Sequence, residues 1–162
     1  MEGKMIFRRA EKNDIPMINN LLGQVLYVHH IIRADIFKEK GQKYTEEKLE
    51  EMIKDDDNPI FVACDEYGKV LGHCFCQIKI NEETSATKAY KTMYIDDLCV
   101  DESVRGSGAG KFLYENVKKY AADNSFYNIT LHAWNGNQKA IEFYEHLGMA
   151  VQQYTMEEII SK

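Results

Sequence analysis

The chain has 162 residues, 44% apolar and 28% charged, with a formal net charge of −6. That length suits one ordinary domain, 1–162, and the composition is that of a globular protein. The acidic balance argues against a nucleic-acid partner, which calls for a basic surface, and no run approaches the roughly 18 apolar residues of a membrane span; it is compatible with a carboxylate-lined cleft for a cationic small molecule.

The first residues, MEGKMIFRRAEKND, contain no apolar signal-peptide core. Met5–Arg9 reads as a short strand. Asn13, Asp14, Ile15 and Pro16 read as a helix start, with cap-type residues just before a proline of the first turn. Apolar positions at helical spacing carry that helix to about Tyr27–Ile31. Thr45 and Lys48 introduce a shorter helix over Lys48–Lys54. Ile60–Cys64 and Val70–Ile80, joined by Asp65, Glu66, Tyr67 and Gly68, form a hairpin.

After a polar loop over Asn81–Lys88, the spacing predicts a strand over Ala89–Val100. A helix follows from about Gly108 to Asp123, with Phe112, Leu113, Val117, Tyr120 and Ala121 on its apolar face. Tyr127–Ala133 is a strand, Gly136–Leu147 a helix, and Met149–Ile159 one or two closing strands. The order β-α-α-β-β-β-α-β-α-β describes an α/β domain with a mixed sheet, and the crossover after Val100 makes two of its strands parallel.

Four cysteines, Cys64, Cys74, Cys76 and Cys99, lie in apolar strand-like runs. They read as reduced thiols filling core space, which implies a cytoplasmic protein. Neither they nor the five histidines show metal-ligand spacing, and no metal is expected.

Between the strand and the helix lies Arg105-Gly106-Ser107-Gly108-Ala109-Gly110-Lys111. A glycine-dense turn opening a helix presents backbone N–H groups at the positive end of the helix dipole, a natural phosphate site. A P-loop would need glycine at Arg105 and a hydroxyl at Phe112. A dinucleotide fingerprint would need glycine at Lys111 or Leu113. Both alignments fail.

What remains, Arg105-x-x-Gly108-x-Gly110, resembles the acetyl-CoA pyrophosphate motif of the GNAT superfamily of N-acetyltransferases. About 30 residues on, Asn137, Ala140, Phe143, Tyr144, Glu145, Gly148 and Met149 resemble that superfamily's second motif, in the same order and spacing. The resemblance covers roughly 94–149, while the N-terminal third agrees by element order. It implies a GNAT fold, with a mixed, mostly antiparallel central sheet flanked by helices, and acetyl-CoA as co-substrate. The segment from Arg105 to Lys111 would grip the pyrophosphate, mostly through backbone.

Acetyl transfer from a thioester to an amine needs a neutral nucleophile, a stabilised carbonyl oxygen and a proton for the departing thiolate. Tyr144 stands where the family has its general acid; core packing is the alternative reading of a helical tyrosine. Asn137 resembles the family's coenzyme-contacting asparagine, and Asn135 with Gln138 three residues on is a plausible helix cap that would leave it available. The family's carbonyl-polarising and pantetheine-pairing groups, all backbone, map to Leu98, Cys99 and Val100.

The base is open between Asp96, Asp97 and a water. The two aspartates are adjacent in an otherwise apolar strand, where acidic residues are depleted and successive side chains alternate between faces. Asp96 falls where some small-amine acetyltransferases carry a catalytic glutamate, here one methylene shorter. Either carboxylate can instead bind an ammonium or pair with a basic side chain. Lys111 is a further phosphate contact or a solvated surface lysine. His29, His30, Arg33 and Phe37 lie in the region that usually shapes the acceptor site.

The reading is a direct N-acetyltransferase acting on a small-molecule primary amine. A protein lysine or N-terminal amine is the alternative acceptor, and a non-catalytic coenzyme-A-binding regulator the alternative class. An acyl-cysteine route through Cys99 is disfavoured, since no histidine is placed by sequence to activate it. The residues do not reveal an oligomeric state; the family is often dimeric, so a homodimer is what the resemblance allows.

Overall fold

The computed structural model describes residues 3–161, which divide into two compact units, 3–132 and 133–161. The first contains strands β1 (Ile6–Arg9), β2 (Ile60–Cys64), β3 (Val70–Asn81), β4 (Tyr90–Val100) and β5 (Asn128–Leu131). Helices α1 (Ile15–Ile32), α2 (Glu46–Met52) and α3 (Ala109–Asp123) connect them. The sheet order follows the chain, β1-β2-β3-β4-β5. The first four strands pair antiparallel, and β4 with β5 parallel. The α/β class, the mostly antiparallel mixed sheet and the crossover through α3 match the sequence expectation.

Alternation along β2 shows why the sheet is covered twice. Ile60, Val62 and Cys64 join a core with Ile18, Leu21 and Leu22 of α1, Leu49 of α2, and Phe75 and Cys99. Phe61 points the other way, its ring 5.0 Å from Tyr120 of α3. All five residues of β2 are buried, as for a strand with a helical layer on each face. Each such side chain contributes about 1.5–3 kcal/mol.

Two local details differ from the sequence reading. Asp14 flanks α1, but its carboxylate does not cap that helix. It accepts instead from Arg8 Nη1 at 2.7 Å, Arg8 Nη2 at 3.0 Å and the Glu11 N–H at 2.7 Å, a bidentate pair that ties β1 to the helix start. On α3 the buried set is Ala109, Leu113, Tyr114, Val117 and Ala121. Tyr114 therefore belongs to the buried stripe, while Phe112 and Tyr120 are only half-buried. The second α-helix runs Glu46–Met52 rather than the expected Lys48–Lys54, because Thr45 is its cap, Oγ1 accepting from the Lys48 N–H at 3.2 Å.

In the second unit, α4 (Gln138–His146) ends where Gly148 takes φ +92°. The Gly148 N–H reaches the Glu145 carbonyl at 2.9 Å and the Met149 N–H that of Tyr144 at 3.0 Å, a Schellman termination. Residues 149–161 carry neither helix nor strand, contrary to the closing strands expected there. Their Val, Tyr, Met and Ile spacing suits a strand, but that propensity is realised only where a neighbouring strand receives the backbone, and the described residues supply none.

Candidate active site

The glycine turn grows out of the end of β4. Asp101 Oδ1 accepts from the Ser103 N–H at 3.2 Å, winding a short 3₁₀ turn over Glu102–Val104. Arg105 is extended, and Gly106 and Gly108 follow with φ +83° and +85°. This left-handed region is strained for every residue with a Cβ except, to a lesser degree, Asn and Asp. Around both glycines a Cβ would meet no atom within 4 Å. Backbone conformation and open space, rather than close packing, therefore account for glycine at these positions.

Gly108 is the N-cap of α3 and has no side chain to cap it. The first intrahelical bond is donated by the Phe112 N–H to the Gly108 carbonyl at 2.9 Å. The N–H groups of Ala109, Gly110 and Lys111 thus precede the ladder at the positive end of a 15-residue helix. Ala109 is buried, Gly110 half-buried, and Arg105, Ser107 and Lys111 are exposed. An uncapped helix head with open space at both left-handed glycines suits a diphosphate.

Upstream, the ladder between β4 and β5 joins Thr92–Ile95 to Asn128–Leu131 and stops. From Asp96 to Val100, β4 is paired only with β3 among the described residues. Along Leu98, Cys99 and Val100 one backbone edge is therefore left for a ligand to pair with.

The same point carries a bulge. Phe75 opposes Asp97 and Cys76 opposes Ile95, so Asp96 is the extra residue of β4. A bulge breaks the strict alternation of side chains on which the expectation of opposite faces rests. Asp96 Oδ2 lies 3.5 Å from Lys43 Nζ, and the charge of Asp97 reaches the same lysine. Burial works against the Lys43 ammonium, but Asp96, Tyr44 and Asp97 outweigh it and hold it above the usual lysine range. Lys43 also lies over the ring of Tyr44, which stacks on Phe75.

Asp97 is buried and accepts from His73 Nε2 at 2.6 Å. His73 is fully buried on β3, with the Phe75 ring edge-on at 4.9 Å. Neither His73 nor Lys43 was picked out from the sequence. The available signal for His73 was one imidazole within the apolar run VLGHCFC; Lys43 is an ordinary lysine in a polar loop until the fold brings it to Asp96.

Two of the four acceptor-side residues have structural duties. Arg33, which ends α1, donates from Nε and Nη2 to Asp35 at 2.9 and 2.8 Å. His30 Nδ1 lies 2.8 Å from the Phe37 carbonyl and donates to it, tying the loop to α1. His29 and Phe37 have rings 5.0 Å apart. Burial pushes His29 below the ordinary histidine range; Asp97 opposes this and Lys43 adds to it.

Cys99 is buried, and its Sγ–H donates to the Leu21 carbonyl at 3.5 Å. Burial, reinforced by Asp97, pushes its thiol up to about 12. A thiol so held is a poor nucleophile near neutral pH. The other three cysteines are likewise buried and free, as expected for core-filling thiols.

In the second unit, Asn137 is itself the cap of α4, its Oδ1 accepting from the Ala140 N–H at 3.2 Å. This corrects the assignment of that duty to Asn135 and Gln138. The amide nitrogen of Asn137 and the second lone pair of Oδ1 remain for a coenzyme contact. Tyr144 is half-buried on α4, its ring 5.1 Å from that of Phe143.

The family described as Acetyltransferase (GNAT) matches residues 26–149. A mutant of BH1408 protein from Bacillus halodurans superposes with a TM-score of 0.91 at 29% identity, over 96% of this chain and 99% of that one. Glucosamine-6-phosphate N-acetyltransferase from Arabidopsis thaliana gives 0.70 at 23% identity, over 98% and 99%. An aminoglycoside acetyltransferase from an uncultured soil metagenomic sample, in complex with sisomicin, gives 0.69 at 20%, over 98% and 97%. The last two likenesses are likenesses of fold.

Proposed function

The chain belongs to the acetyltransferase (GNAT) family, and from that premise we propose that it transfers the acetyl group of acetyl-CoA directly to a primary amine of a small molecule. The observation that carries the reading is the uncapped head of α3 behind two left-handed glycines, with a stretch of β4 that, among the described residues, is paired on one edge only. The co-substrate supplies an activated acetyl thioester. The segment from Arg105 to Lys111 holds its pyrophosphate, chiefly through the N–H groups of Ala109, Gly110 and Lys111, and the edge of Leu98, Cys99 and Val100 aligns its pantetheine arm. Asn137 adds a contact through its amide nitrogen.

The acceptor enters as an ammonium ion, attracted by Asp96 and Asp97, with His29 and Phe37 beside it. A carboxylate takes one proton, and the neutral nitrogen can then attack the acetyl carbonyl. A C–N bond forms and the C–S bond breaks. The nitrogen sheds its second proton to bulk through the acceptor-side groups, while the Tyr144 hydroxyl protonates the departing sulfur and is later reprotonated from solvent. The raised Cys99 thiol supports direct transfer over an acyl-cysteine route.

The glucosamine-6-phosphate and aminoglycoside acetyltransferases of like fold favour a small amine over a protein acceptor. The single-domain organisation is proposed as well, supported by a family match that crosses the junction at 132–133. Thiol release from acetyl-CoA, measured against polyamines, amino acids, aminoglycosides and peptides, tests the reading. Release dependent on one small amine is the expected outcome. Release with peptides alone makes the acceptor a protein, and binding of acetyl-CoA without release leaves a regulatory module.

A further inference from the structure

Of the two adjacent aspartates, one contacts a lysine and the other an imidazole. Asp96 is 28% exposed and lies against Lys43. Asp97 is 8% exposed, and its contact partner is an imidazole. We infer that His73 is a positioning residue: its Nε2–H holds the Asp97 carboxylate in place and makes Asp97, rather than Asp96, the group that meets the acceptor amine. The inference rests on the amine-acetylation reading above.

Burying an imidazole is costly unless its nitrogens are bonded. His73 is 0% exposed, and among the described residues its Nδ1 has no partner. A leucine or phenylalanine would fill the same space in β3 without that cost. The return is the single bond to Asp97, short at 2.6 Å and of the strong kind in which the acceptor is charged. With the proton on Nε2, Nδ1 is left as a bare lone pair, which a protein interior tolerates better than an orphaned N–H. An N–H donor at this distance fixes the orientation of the carboxylate.

Register places the two groups with little freedom. His73 opposes Cys99 and Phe75 opposes Asp97, so the imidazole and the carboxylate are diagonal neighbours on one face of the β3–β4 ladder. The Phe75 ring closes the imidazole from the side. The bulge at Asp96 lies one residue away, so Asp97 is held where the strand changes direction. Its charge acts on His29 of α1 and on Lys43 of the following loop, the elements expected to shape the acceptor site.

The test compares full-length His73→Leu and His73→Gln with the parent, using acetyl-CoA and the panel amine that gives fastest thiol release. Misplacing a catalytic group by about 1 Å costs on the order of 100-fold. The expected result is a kcat about 100-fold lower for His73→Leu, with KM for acetyl-CoA within about threefold. His73→Gln, which keeps an N–H donor, should recover to within about tenfold of the parent. The inference is overturned if His73→Leu stays within about threefold of the parent, or if His73→Gln falls as far as His73→Leu. A loss confined to the acetyl-CoA KM also overturns it. Nitrogen-15 NMR of the labelled chain should find the His73 proton on Nε2; an Nε2 without a proton contradicts the bond donated to Asp97. If no amine releases thiol, the acetyl-transfer reading and the acceptor role of Asp97 fail together, while NMR still decides the His73–Asp97 bond.

Discussion

The glycine turn at the head of α3 and the acidic bulge of β4 are near neighbours in the chain, yet they are built from opposite materials. The turn offers backbone: left-handed glycines, an uncapped helix start, and exposed side chains that need not touch the ligand. The bulge offers side chains drawn from distant positions, Asp96 and Asp97 with Lys43, His73 and His29. A backbone site can serve every member of a family, because the coenzyme is common to all of them. A side-chain site is where members can differ in the amine they accept.

Breaking the turn should have the largest effect. Gly108→Val places a β-branched residue at φ +85° and should weaken acetyl-CoA binding at least ~100-fold by calorimetry. Gly108→Asn sharpens the comparison. Asparagine tolerates this conformation, so recovery of binding assigns the role of Gly108 to backbone shape, and failure assigns it to space for the phosphate. A melting curve for each variant separates lost binding from lost fold.

Tyr144→Phe should lower kcat about 100- to 1,000-fold, the usual worth of a placed proton donor, with acetyl-CoA affinity nearly unchanged. Equal turnover by the two proteins would remove the acid assignment. The bulge can then be divided. Asp97→Asn should cost about 100-fold in kcat and Asp96→Asn no more than about tenfold, because Lys43 already pairs with Asp96. The reverse order would return the base to Asp96.

The two regions also differed in how far they could be read from sequence. The glycines were legible because positive φ is a local demand that few residues can meet. The Tyr144 motif was legible for a related reason, since Gly148 stops α4 and spaces Tyr144 and Glu145 from the end. The alternation of β2 and the α3 crossover likewise follow from local pattern. The pairing of His73 with Asp97 was hidden, because it depends on a register 24 residues apart and on a bulge that upsets the period of two. Lys43 was hidden for the same reason, at a separation of 53 residues. The expected closing strands failed because a strand needs a partner, which pattern alone does not supply. Asn137 was misread because several polar residues before α4 could each cap it.

Smaller effects test the surroundings of the bulge. Cys99→Ala should leave kcat within about threefold and cost roughly 1–2 kcal/mol in denaturant unfolding; a large loss of turnover would revive the acyl-cysteine route. The smallest effect concerns His29. Its folded-state pKa lies below the ordinary 6.5, so as pH falls through that value the unfolded chain takes up the proton first and stability declines. Denaturant unfolding between about pH 7.5 and 5.5 should show that decline, and His29→Gln should flatten it. An unaltered pH dependence in the variant would place the decline elsewhere.

The central claim, direct passage of an acetyl group from coenzyme to amine, is tested most directly by product analysis of the thiol-release reaction. Mass spectrometry should find one N-acetylated amine for each free coenzyme A thiol, with the protein's own mass unchanged throughout turnover. Thiol released without an acetylated amine, or a chain made heavier by one acetyl group on Cys99, would contradict it.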